Sequence, residues 1–152
     1  MANIYAVKNE YKKAHEFYDR AISIKPDYHS AWLCKAIAYD NEGNKESAIP
    51  CLKRSIELYP DKINAYILLG SILNEEKQYK EAVEVYKTAQ SIAKNNAKVS
   101  VFIANTYMML NDDKNAIEQY RRAVKQAPSD KEIKLIYLDI MNDYIENKRG
   151  RI

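Results

Sequence analysis

The chain has 152 residues, and its 24 basic and 21 acidic side chains leave a net charge of +3. A charge so nearly balanced does not indicate the basic surface that nucleic-acid binding requires. No apolar run approaches the ~18 residues of a membrane-spanning helix. Only 3 glycines and 4 prolines are present, which favours helices with short connections over an all-β fold.

The predicted helices follow one another in pairs along the chain. Residues 1–8 leave room only for the end of a first helix, which is followed by a second helix at about 10–24. We therefore predict one domain that consists of a partial repeat at 1–28, full helix pairs at 29–62, 63–96 and 97–130, a capping helix at 131–147 and a basic tail at 148–152.

A period of 34 residues relates these pairs. One column of the repeat is occupied by alanine throughout and another by large side chains: Ala14, Ala48, Ala82 and Ala116, then Tyr18, Leu52, Tyr86 and Tyr120. A fixed period of this length is typical of stacked supersecondary units. The small residues let two helices approach closely, and the large ones interlock beside that contact.

Helix ends carry further signals. Prolines follow the second helices at Pro26, Pro60 and Pro128, because proline cannot continue a helix. Polar residues that can cap the next helix come directly after these prolines: Asp27, Asp61 and the Ser129/Asp130 pair. In the unit where Lys94 replaces the proline, Asn95 and Asn96 take this place.

These residues resemble the tetratricopeptide repeat (TPR) family. The fullest matches to its pattern are Trp32-x3-Ala36-x2-Tyr39 with Ala48, Leu52 and Pro60, and Tyr66-x2-Leu69-Gly70 with Ala82, Tyr86 and Ala89. The resemblance implies an all-α solenoid of antiparallel helix pairs wound into a right-handed superhelix. The last helix has Leu138 where a small residue belongs, so we expect it to cap the stack.

Catalytic signals are weak. His15 and His29 have no nucleophile and carboxylate in a recognisable arrangement, and glycines at 43, 70 and 150 cannot form a phosphate-binding loop. Cys34 and Cys51 lack a CxxC partner or a histidine at zinc spacing. We expect no enzymatic activity, no cofactor and no metal. Reduced thiols and the lack of a signal-peptide pattern predict a cytoplasmic location.

The first helices are apolar on the side opposite their packing residues. In TPR folds the first helices line the concave surface, so the resemblance implies a groove formed by Leu33, Cys34, Ile37, Leu68, Ser71, Phe102, Asn105, Met109 and Ile136. Four residues at oblique positions could instead pack against the neighbouring repeat: Leu33, Ile67, Val101 and Leu135. Because Cys34, Leu68 and Phe102 are apolar, we do not expect a basic clamp for an acidic peptide terminus.

The sequence therefore predicts a non-catalytic protein–protein interaction module or scaffold that binds an apolar peptide or helix of a partner in this groove. Two alternatives are open at this point. The chain could assemble with other copies of itself, or it could be a small TPR chaperone that shields an apolar client segment.

Overall fold

The computed structural model describes residues 2–149, with side chains described for residues 2–146. This part of the chain forms nine α-helices and no β-strand: α1 (Ala2–Val7), α2 (Tyr11–Ile24), α3 (His29–Asn41), α4 (Lys45–Leu58), α5 (Ile63–Glu75), α6 (Tyr79–Ile92), α7 (Ala97–Met109), α8 (Asp113–Gln126) and α9 (Lys131–Arg149). The predicted all-α fold is confirmed. Of the predicted basic tail, residues 148 and 149 belong to α9, and the rest lies outside the described residues.

The chain divides between Ile72 and Leu73 into two compact units. Unit 1 contains α1 to α4 and most of α5, and unit 2 contains the end of α5 and α6 to α9. Inside each unit, helices that follow one another along the chain pack together. None of the described helices combines the length and the hydrophobicity needed to span a bilayer.

The core of unit 1 contains the small and large residues that recur in the 34-residue repeat. Ala36 of α3 and Ala48 of α4 have no exposed surface, and Leu52 beside them is also fully buried. Ala14 and Tyr18 of α2 form a cluster with Ala38 of α3, against which Tyr5 of α1 packs. Close helix contact at alanine, with large side chains filling the adjacent space, accounts for the 34-residue period.

Unit 2 repeats this arrangement with larger side chains. Ala82, Ala104 and Ala116 are fully buried at the helix contacts, and Tyr86 and Tyr120 are 1% and 3% exposed. These tyrosines give the thin helical layers much of their buried volume.

The turn inside each helix pair has the same backbone conformation at the same repeat position. Four residues spaced by 34 have a left-handed backbone, Asn9, Gly43, Lys77 and Asn111, with φ of 60°, 82°, 59° and 55°. At Gly43 the amide donates to the Asp40 carbonyl at 2.9 Å, and the next amide donates to the Tyr39 carbonyl at 2.8 Å. This is the Schellman motif, which satisfies the last carbonyls of a helix. The other three turns make the equivalent bonds.

Lys77 is the costly member of this set, because a side chain with a β-carbon is disfavoured in the left-handed region. We expect Lys77→Gly to raise the free energy of unfolding by about 0.5–1 kcal/mol. The urea midpoint followed by circular dichroism measures this. Lys53→Gly, in the middle of α4, is the matched control and should lower stability by about 1 kcal/mol. A loss of stability in the Lys77 variant would contradict the strain argument.

Some of the helix caps predicted from the sequence are present in the structure. Asn96 accepts a hydrogen bond from the Val99 amide at 3.3 Å, and Asp130 Oδ1 accepts from the amides of Glu132 and Ile133 at 3.0 and 3.1 Å. The cap predicted at Asp27 is wrong. The residue before α3 is Tyr28, which makes no side-chain cap bond, and Asp27 accepts from His29 N–H through its backbone carbonyl.

Candidate functional site

An apolar pocket opens in unit 1 where α1, α2 and α3 meet. Its volume is about 230 Å³, and it is lined by Asn3, Ala6, Val7, Tyr18, Cys34, Ile37, Ala38 and Asn41. Cys34 and Ile37 are two of the predicted site residues. An adjoining pocket of about 320 Å³ shares Asn3, Tyr18 and Cys34 with the first. We call the first of these the α3 pocket.

The amino-acid sequence of α3 explains why apolar side chains reach this pocket. Ala31, Ala36 and Ala38 are buried against neighbouring helices, which satisfies the packing side of the helix. Ile37 is still 41% exposed, and Cys34 is half-buried. Ile37 therefore lies outside the buried contacts that these alanines make, and it lines the α3 pocket while staying partly exposed.

A hydrogen bond from α2 to α1 sets the polar part of the pocket. The Tyr18 hydroxyl donates to Asn3 Oδ1 at 2.6 Å. Burial, with a smaller contribution from the nearby Cys34, raises the pKa of Tyr18 to about 12, so this hydroxyl keeps its proton. Asn3 is also hydrogen-bonded to the Cys34 side chain, so with Oδ1 engaged its remaining hydrogen-bonding capacity lies mainly in the second N–H of its amide group, which is a donor.

The cysteines do not have the environment of reactive thiols. Both Cys34 and Cys51 are free, and burial raises the pKa of each thiol above its ordinary value. A reactive cysteine needs a lowered pKa and a thiolate. Cys34 therefore contributes an apolar wall to the α3 pocket rather than a nucleophile.

In unit 2 three of the predicted site residues, Phe102, Asn105 and Met109, lie on α7, and the fourth, Ile136, lies on α9. Phe102 is half-buried and stacks on Tyr86 of α6 with ring centroids 5.5 Å apart, while burial raises the pKa of Tyr86 to about 12. Asn105 Oδ1 accepts a hydrogen bond from the Tyr120 hydroxyl. Met109 is 61% exposed at the end of the helix. Phe102 thus belongs to the packing of unit 2 as well as to its surface.

The other predicted positions are partly covered. Leu33, Leu68, Ser71 and Ile136 are half-buried, as are Ile67 and Val101. Leu135 differs, because it is 62% exposed, so the alternative that it packs against a neighbouring repeat is wrong. Among the described residues, no group of three or more histidine, cysteine or acidic side chains is placed to hold a metal ion.

The two histidines lie in packing positions. His15 stacks on Tyr39 with ring centroids 3.9 Å apart, and its Nε2 lies 3.1 Å from Glu42 Oε2. His29 stacks on Tyr59 at 4.8 Å. The His15 ring therefore connects α2 to α3, and the His29 ring connects α3 to the end of α4.

Asn3 was not among the predicted site residues. It lies three repeat periods before Asn105, and each of the two asparagines accepts a hydrogen bond from the tyrosine fifteen residues later, Tyr18 or Tyr120. The repeat spacing alone could have revealed the pair. It was overlooked because Asn3 falls in the partial first repeat, whereas the candidate site residues were chosen from the later helices.

Comparison with known proteins agrees with the repeat. Residues 27–147 match one family model described as tetratricopeptide repeat, and residues 1–28 match another with the same description. The structure superposes on that of MamA with a TM-score of 0.78 at 17% identity, over 99% of this chain and 97% of that one. It superposes on YrrB, described as a TPR protein with an unusual peptide-binding site, with a TM-score of 0.76 at 21% identity, over 91% and 71%.

Curated relatives are much longer than this chain. Protein O-mannosyl-transferase Tmtc3 of Drosophila melanogaster is 30% identical over 82 residues, which are 53% of this chain and 9% of the relative. Anaphase-promoting complex subunit 3 of Schizosaccharomyces pombe is 20% identical over 132 residues, which are 87% of this chain and 20% of the relative. These matches cover the repeats, and the chain belongs to the tetratricopeptide repeat family.

Proposed function

We propose that the chain is a non-catalytic protein-interaction module that binds an apolar, extended segment of a partner protein on its first helices. The observation that carries the proposal is the α3 pocket, which joins the exposed Ile37 to Cys34 and to the donor group of Asn3. Ligand sites typically have this composition, with apolar walls and a few placed polar groups.

The polar groups favour an extended ligand over a helical one. The carbonyl oxygens of a helix are already engaged in internal hydrogen bonds, whereas those of an extended segment accept bonds from a binding protein. Asn3 has Oδ1 engaged by the Tyr18 hydroxyl and is also hydrogen-bonded to the Cys34 side chain, so the second N–H of its amide is the donor left for a ligand. We infer that this N–H binds a backbone carbonyl of the partner while Ile37 and Cys34 contact apolar side chains in the α3 pocket.

The same surface would serve a chaperone that shields an apolar client segment, and the two functions differ in the partner rather than in the site. YrrB, which shares the fold, is described as having a peptide-binding site, so peptide binding is within the range of this architecture. We also propose a reducing compartment such as the cytoplasm, because Cys34 and Cys51 are both free thiols.

A selection from a library of random peptides displayed on phage tests the proposal. We expect enriched peptides to carry an apolar core, and we expect Ile37→Asp to weaken their binding by about tenfold or more, because a charge in an apolar pocket must be desolvated. Fluorescence anisotropy with a labelled synthetic peptide measures the affinity.

Ile24→Asp is the matched control, because Ile24 is 83% exposed and does not line the α3 pocket. This variant should bind the peptide like the wild type. Circular dichroism checks that both variants keep their helices. Enrichment of no peptide, or equal binding by the Ile37 variant, would show that the α3 pocket is not the site.

A further inference from the structure

Helix α9 carries an apolar stripe that the described part of the chain leaves largely exposed. Leu135, Leu138 and Ile145 are 62%, 53% and 39% exposed, and Asn142 between them is also exposed. At 100° per residue these four positions fall within roughly 80° of the helix circumference. The other side of α9 packs on α8, where Arg121 Nε donates to the Tyr137 hydroxyl at 3.3 Å. Met141, Tyr144 and Ile145 line a pocket shared with α8, so Ile145 lies at the edge of the stripe and is partly covered.

The spacing of the stripe is that of a coiled-coil seam. Its members are separated by three, four and three residues, which places Leu135 and Asn142 at heptad position a and Leu138 and Ile145 at position d. The flanking g positions hold Lys134 and Met141, and the flanking e positions hold Asp139 and Glu146. The three charged residues are exposed, whereas Met141 is half-buried. Two heptads are short for an isolated coiled coil, but α9 is already held helical by α8, so less ordering entropy opposes association.

The charges match a second copy of the same helix in parallel alignment. In a parallel pair, each g residue faces the e residue five positions later on the partner, so Lys134 of each copy meets Asp139 of the other. In an antiparallel pair, e positions face e positions, and the acidic Asp139 and Glu146 of both copies would share one edge. The parallel arrangement is therefore favoured by attraction and the antiparallel one is opposed by repulsion.

Asn142 supports the same arrangement. An asparagine at an a position lowers the stability of a coiled coil, because its amide is buried among apolar side chains. The loss is smaller when it meets a second asparagine at the same level and exchanges hydrogen bonds with it. A parallel two-stranded alignment supplies that partner by symmetry. A dissimilar partner helix would have to provide its own polar group at this point.

We propose that α9 is a dimerisation surface on which two copies of the chain pair as a short parallel coiled coil through Leu135, Leu138, Asn142 and Ile145. The apolar area involved is small, so the dimer is weak and reversible. The surface lies on a different helix and in the other unit from the α3 pocket, and it does not depend on the proposed peptide binding.

Sedimentation velocity of the full chain over a wide concentration range tests the proposal. We expect a monomer–dimer equilibrium in the wild type. Leu138→Glu should give a monomer throughout, with unchanged helix content because the side chain is 53% exposed. Ile24→Glu introduces the same charge on an exposed isoleucine of unit 1 and should dimerise like the wild type. A wild type that is monomeric at every concentration, or a dimer that Leu138→Glu leaves intact, would overturn the proposal.

Charge reversal tests the alignment. Asp139→Lys should raise the dissociation constant by about tenfold, because it places two lysines opposite each other, and the double variant Lys134→Glu with Asp139→Lys should restore the wild-type value. An antiparallel pair predicts the opposite, since Asp139→Lys would then face Glu146 of the partner copy and tighten the dimer. Tightening by the single variant would therefore overturn the parallel arrangement.

Discussion

Tyr86→Ala is expected to lower the free energy of unfolding of unit 2 by about 3–5 kcal/mol, the range found when a buried aromatic side chain is truncated. Tyr86 is 1% exposed, and its ring stacks on Phe102. The variant leaves a cavity between α6 and α7 and removes the support of one predicted site residue. Unfolding in urea, followed by far-ultraviolet circular dichroism, measures the loss.

Tyr86→Phe is the matched control, because it keeps the ring and removes only the hydroxyl. We expect its cost to be below about 1 kcal/mol. Hydrogen exchange should show faster opening of α6, α7 and α8 in the alanine variant. Fluorescence of the single tryptophan, Trp32 in α3 of unit 1, should keep its folded-state emission. An alanine variant as stable as the wild type would show that the ring is not part of the core.

Gln90→Ala is expected to be the second large loss, at about 2–3 kcal/mol, because it removes three hydrogen bonds made by one buried side chain. Gln90 is 7% exposed. Its Nε2 donates to Ser100 Oγ and to Gln119 Oε1, both at 3.0 Å, and its Oε1 accepts from Arg122 at 3.1 Å. Ser100, in turn, is fully buried and donates to Gln126 Oε1 at 2.7 Å.

This network connects α6, α7 and α8, so the loss should appear in all three helices. Hydrogen exchange followed by mass spectrometry is the suitable measurement. Gln78→Ala is the control, since Gln78 is exposed and makes no side-chain cap bond at the start of α6. If the two variants were equally stable, water would be taking the place of the Gln90 side chain in these hydrogen bonds at no cost in free energy.

The sequence predicted the helices well and the polar network not at all. The 34-residue period revealed the helix pairs because small and large core residues recur in fixed columns, a local pattern that is visible without coordinates. Gln90 occupies a column in which the other repeats have Ile22, Ile56 and Val124. A single polar residue in an apolar column is interpreted as a surface position unless its hydrogen-bond partners are known. The three partners of Gln90 lie on α7 and α8.

The candidate site was predictable in kind but not in detail. Apolar residues on the free side of the first helices pointed to a surface of interaction, and Ile37 and Met109 are exposed there. The double role of Phe102 could not be foreseen, because it depends on the rotamer that brings its ring onto Tyr86. The seam on α9 was overlooked for another reason, since Leu138 was judged by the repeat pattern and not by the heptad spacing of α9 itself.

The repeated left-handed turn has a consequence for how the chain folds. Each reversal of direction is specified by a few neighbouring residues, and the helices that pack together are adjacent along the chain. Contacts that are close in sequence need little loop closure, so proteins of this kind acquire their structure quickly and can start from any helix pair. During synthesis, each pair can therefore form soon after it leaves the ribosome, before the next pair has been translated.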